Sequence, residues 1–164
     1  MAILATGCSK APGGSGQTAE KAQPAIAYFK VDPATAGTIS GSIQYSGRRP
    51  SRRAIDVSGD PACSADNGGK VYDGSLMVSP KGVLANAFVY IKSGLEGKSF
   101  ETPSTPAALD QHGCGFIPRV VGLQTNQPLR ISNSDPATHS IHPMAQVNRE
   151  WNHSQGPGEP PIIR

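Results

Sequence analysis

The stretch "NSDPATHSIHPM", residues 133–144, gathers two histidines, a methionine and an aspartate, and the rest of the chain has only two other histidines. Imidazole, thioether and carboxylate are donors that hold metal ions. His139 and His142 stand three positions apart. On an extended chain, positions i and i+3 point to opposite faces, so the pair does not chelate one ion unless the backbone turns between them. Pro143 biases His142 toward an extended conformation. Taken alone, the pair reads as structural or as ligating. Asn133, Asp135 and Pro136 carry the residue types of a turn just ahead of His139.

Other chemistries find less support. No G-x-S-x-G elbow, no H-E-x-x-H and no phosphate loop is present, and the carboxylates are scattered. The chain does not read as an enzyme. A net charge of +3 is too small to imply nucleic acid as a partner. The four arginines of "RRPSRR", Arg48, Arg49, Arg52 and Arg53, read as a solvated loop or as a patch for lipid headgroups or an acidic partner. His112 in "DQHGC" reads as a solvated loop residue, and His153 as a surface residue or a partner for Trp151. Met144 reads as packing, and Trp151 and Tyr90 as core.

The elements that must position these groups are strands. Nineteen glycines and fifteen prolines in 164 residues, with 16% charged residues, suit many short strands and turns. Residues 9–36 have no apolar period and read as a flexible tether; the domain spans residues 37–164. "TISGSIQYSG" alternates apolar and polar residues, with Ile39, Ile43 and Tyr45 on one face. "SLMVSPKGVLANAFVYIKSG" reads as a hairpin whose second strand, residues 83–92, is apolar on both faces and therefore central. Further strands are expected at residues 55–57, 116–123, 128–132 and within 145–155, and no helix is expected. The fold class is all-β.

The first residues, "AILATGCSK", resemble a bacterial lipoprotein signal, with small residues ahead of Cys8. The resemblance implies lipid on Cys8 and membrane attachment, with residues 1–8 as a signal remnant. No basic residue precedes the short apolar run, so Met1 is not expected to be the true start. With Cys8 lipidated, Cys63 and Cys114 remain, and an oxidising envelope favours their disulfide.

Several stretches resemble cupredoxin-like proteins of bacterial envelopes, described as plastocyanin-like or methylamine-utilization-like. They are "GTISGSIQYSGRRP", "DPAC", "GVLANAFVYIKSGL", "LDQHGCGFIPRVVGLQTNQPLRISNSD" and "HSIH", which together cover most of residues 37–142. The resemblance implies a Greek-key β-sandwich of cupredoxin type, lipid-anchored in the periplasm or outer envelope. It further implies one copper ion and electron transfer to a redox partner protein. His139 becomes the first histidine ligand, with His142 a further candidate. The family draws its other ligands from a late Cys-x-x-His segment followed by Met, and none follows His142 here. The expectation is therefore a chain that stops before its last strands and holds part of a copper site. The alternative is a non-metal β-sandwich module that binds a carbohydrate or a protein of the envelope, marked by exposed aromatics on one sheet face.

Overall fold

The computed structural model describes residues 26–66 and 70–164; Cys8, and with it the expected lipid anchor, lies outside them. In chain order the elements are β1 (Ala54–Ile55), α1 (Pro61–Asp66), β2 (Val71–Tyr72), β3 (Ala107–Gln111) and β4 (Phe116–Ile117). They continue with β5 (Leu129–Asn133), β6 (His139–Ile141), β7 (His153–Gln155) and β8 (Ile162–Ile163). The described chain is sheet-rich, as its composition predicts.

The main sheet has the order β4-β3-β5-β8. Its centre is a parallel pair, β3 on β5, in register from Ala107↔Leu129 to Gln111↔Asn133. β4 and β8 flank it, each antiparallel to its neighbour. β6 and β7 form an antiparallel ribbon with Ile141 opposite His153. Ribbon and sheet share one apolar cluster: Ile131 of β5, Ile141 of β6 and Ile162 of β8 are buried, with Leu109, Leu129 and Trp151 packed around them. The alternation predicted for residues 128–132 is observed, since Ile131 is buried while Arg130 is exposed. Strand β3 follows a Ser/Thr/Pro-rich loop and is not expected from the sequence.

Buried amides join the two layers. Asn133 Nδ2 donates to the carbonyls of Ala137 and Gln155, both at 2.8 Å. Gln111 Nε2 donates to Gln155 Oε1 at 2.8 Å, and both glutamines are fully buried. Buried polar groups need such partners, because an unmet donor or acceptor carries the full desolvation penalty.

Several expectations are corrected. A helix exists: Asp60 caps α1, its Oδ1 accepting the Ala62 and Cys63 N–H groups at 2.9 and 3.2 Å, with Pro61 in the first turn. Both are start signals of a helix, overlooked in a loop of turn residues. The predicted hairpin closes at residues 79–82, where Gly82 N–H donates to Ser79 C=O at 2.9 Å. Its second arm, however, pairs only through Val83 and Leu84, as isolated bridges to Gln44 and Val78. Past Ala85 the arm has no ladder, and Phe88, Val89, Tyr90 and Ile91 are exposed, so it is not a central strand and Tyr90 is not core. Likewise Ile39 is 95% exposed, and the first predicted strand is reduced to the bridge at Gln44. Phe29, inside the predicted tether, packs edge-on against Phe100 at 5.7 Å and donates its N–H to Ser99 C=O.

Candidate functional site

The site is built where β3 and β5 end and β6 begins. From β5 the chain enters the turn that the sequence predicts: Asp135 N–H donates to Asn133 Oδ1 at 3.0 Å, an Asx turn. This turn carries the Asp135 side chain inward, leaving the residue 3% exposed. After β3 the chain turns through Gly113 and Cys114, both at positive φ, +62° and +57°. Two successive left-handed residues aim their N–H groups the same way and form a small anion cradle. Gly113 N–H donates to Asp135 Oδ1 at 2.6 Å, and Cys114 N–H to Asp135 Oδ2 at 2.8 Å. A left-handed cysteine is strained, and here both the carboxylate and a covalent bond hold it.

That bond is the Cys63–Cys114 disulfide, with Cα atoms 5.6 Å apart, which links α1 to the β3–β4 turn. The pairing expected from the sequence is present.

His139 opens β6, and its Nε2 lies 2.6 Å from Asp135 Oδ2. Burial acts most strongly on the Asp135 carboxyl and by itself raises its pKa. The Cys114 N–H, the His139 ring and the Gly113 N–H together outweigh it, so the net shift is downward and the group stays ionised. An ionised carboxylate has no proton to give, so Nε2–H is the donor. With a proton on Nε2 alone, the imidazole presents its Nδ1 lone pair, the form in which histidine ligates metals. The ring borders a recess of about 100 Å³ lined by Gln111, Cys114, Gly115, Phe116 and Ser140.

His142 is not brought to this place. The burial alternation of β6, with Ser140 exposed and Ile141 buried, continues to an exposed His142 facing Glu150 Oε2 at 3.6 Å. The opposite-face reading of the pair therefore describes the backbone. His112 is solvated, 58% exposed at its side chain, with Nδ1 3.8 Å from Asp135 Oδ1. His153 is exposed in β7, and Met144, expected to pack, is 82% exposed. Sequence reasoning missed Asp135 as the partner of His139, although an acid four residues before a histidine across a predicted turn was a usable signal.

Among the described residues, Cys114, Asp135 and His139 form a group whose donor atoms all lie within 4.8 Å of one another. In the disulfide the Cys114 sulfur is no thiolate, which leaves nitrogen and oxygen donors. The residues fit a single imidazole ligand to copper and do not fit the thiolate of a blue-copper set.

A larger recess of about 600 Å³ lies under the arginine-rich segment, with Arg49 and Arg52 beside Leu76, Met77, Val83 and Leu84. The Arg52 guanidinium stacks 3.9 Å over the Tyr72 ring. No described helix is long and apolar enough to cross a membrane.

A scan of family models, a search of curated proteins and a search of solved structures each return no match to this chain.

Proposed function

We propose that the chain is an exported copper-binding protein for electron transfer, with a Greek-key β-sandwich resembling that of cupredoxins and a lipid anchor on Cys8. His139 is its imidazole ligand. One observation carries this reading: His139 is oriented by a buried, ionised carboxylate that holds Nε2 and leaves Nδ1 free. Such carboxylate–histidine pairs support metal ligands, because the second hydrogen bond sets the ring's direction and basicity. Copper would supply a one-electron couple. The chain's own part is to hold the imidazole still, through Asp135, Gly113 and Cys114.

Electron paramagnetic resonance of the full oxidised chain with one equivalent of Cu(II) tests this reading. Nitrogen coupling at the tightest site should vanish in His139→Ala and persist in His142→Ala. Equal losses in the two variants would count against it.

One observation favours the second reading, a carbohydrate-binding module. Phe88 and Tyr90 are exposed and stacked, with ring centroids 6.3 Å apart. Phe88 is seated on Gly122, where any Cβ would meet its ring. Exposed rings at alternate positions of an extended segment form a flat apolar strip that suits a sugar face. On this reading, Phe88→Ala and Tyr90→Ala should each abolish the chain's retardation in polysaccharide-containing native gels; unchanged mobility of the parent chain removes it.

A further inference from the structure

We infer that reduction of the Cys63–Cys114 disulfide opens a zinc-type metal site made of Cys114 Sγ, His139 and Asp135. The inference shares His139 with the copper reading but does not depend on it, because it concerns the reduced chain and a different donor set.

The three donors are already together, within 4.8 Å of one another around Asp135. Bonds of about 2.0–2.3 Å from a tetrahedral zinc to N, O and S place its ligands about 3.3–3.5 Å apart. The Nε2–Oδ2 pair at 2.6 Å must therefore open slightly, and the sulfur must close in. Rotation about the side-chain bonds of His139 and Cys114 supplies both movements. Asp135 does not have to move, because the Gly113 and Cys114 N–H groups already hold it.

A second observation points to a ligand at the same place. Gln111 is buried and lines the recess beside Cys114 and His139, and its Oε1 has no hydrogen-bond partner. A buried acceptor without a donor is costly, and a water on the cation's fourth position would supply that donor. Three protein ligands and one open position are the pattern of zinc sites that keep a bound water. The recess gives that water a way in.

A dithiol gives two electrons and two protons to the Sγ–Sγ bond, which breaks to two thiols, and the dithiol becomes a disulfide. On binding, the Cys114 thiol releases its proton to solvent. The imidazole proton moves from Nε2 to Nδ1, freeing the Nε2 lone pair. One thiolate and one carboxylate then neutralise the divalent charge. Oxidised, the same residues lack the sulfur donor, so the disulfide acts as the gate.

Co(II) serves as the optical probe for zinc. Titration of the full-length Cys63→Ser chain, which frees Cys114 without a reductant, should give a sulfur-to-cobalt charge-transfer band and intense tetrahedral bands at one equivalent. The oxidised parent chain should give neither. Adding Asp135→Asn or His139→Ala to Cys63→Ser should weaken binding at least tenfold. Retention of the tetrahedral bands in either double variant, or their absence in Cys63→Ser, overturns the inference. Should Cys63→Ser lose its circular-dichroism signature, the phosphine-reduced parent chain takes its place, and a chain unfolded in both preparations overturns the inference as well. Failure of the copper reading would show instead as unchanged Cu(II) coupling in oxidised His139→Ala.

Discussion

Asp135 does the most at the residue scale, because three donors converge on one buried carboxylate. Its pKa is depressed below the ordinary 3.8 by donors that together outweigh desolvation. A carboxyl whose folded pKa lies below its unfolded one stabilises the fold fully above the unfolded value and loses that contribution as pH falls through the folded one. Stability should therefore hold above pH ~4 and fall progressively below it, a loss that Asp135→Asn should flatten. Asp135→Ala leaves the Gly113, Cys114 and His139 donors unmet and should cost about 2–4 kcal/mol. Urea melts of the parent and both variants between pH 3 and pH 7 check this. A parent chain with the same acid profile as Asp135→Asn would show that the carboxylate is not the anchor described. The carboxylate was legible in the sequence only as part of a turn. "NSDP" announces an Asx turn through local chemistry, whereas the cradle of Gly113 and Cys114 comes from a segment 22 and 21 residues upstream of Asp135, which no local pattern links to it.

At the scale of elements, residues 38–46 and 128–132 carry the same period-two signal and end differently. The second is the central strand β5, with Ile131 wholly buried; the first leaves Ile39 95% exposed. Alternation says which face of a strand could be buried, not which neighbour will supply its hydrogen bonds and cover. Strand β5 has both, from β3 on one side and β8 on the other. Residues 43–45 find only a short pairing with the 82–84 turn region, and residues 88–91 find none. The parallel β3–β5 pairing was equally illegible, because it depends on a crossover rather than on either segment's pattern. What was legible had local causes: the turn at residues 79–82, the Asx turn, and the opposite faces of His139 and His142. These placements predict a contrast between two isoleucines. Ile131→Ala, which opens a cavity between sheet and ribbon, should cost about 3–4 kcal/mol, and Ile39→Ala less than about 0.5 kcal/mol. Comparable losses in denaturant melts would mean that Ile39 is covered in solution and that the predicted first strand forms there.

For the molecule as a whole, a small core makes the disulfide important. Only Ile131, Ile141 and Ile162 form the buried aliphatic cluster among the described residues, and long extended segments lie outside it. The Cys63–Cys114 bond spans 51 positions and ties the α1 region, which shares no part of that cluster, to the main sheet. Closing such a loop removes chain entropy from the unfolded state worth about 4 kcal/mol, an appreciable share of a domain's ~5–15 kcal/mol. Reduction should therefore lower Tm by roughly 10 °C for a chain of this size. The same bond helps to hold Cys114 in its left-handed conformation, which in the reduced chain the Asp135 carboxylate alone holds. A ligand that binds only the folded, reduced chain should return part of this stability. Zinc at a hundredfold excess over its dissociation constant restores about 2.7 kcal/mol. Thermal melts in a phosphine, with and without zinc, should show a fall and then a partial recovery, and the recovery should disappear in His139→Ala. A fall without recovery would leave the disulfide as a staple alone. No fall at all would mean that the sheet and ribbon hold the chain without it.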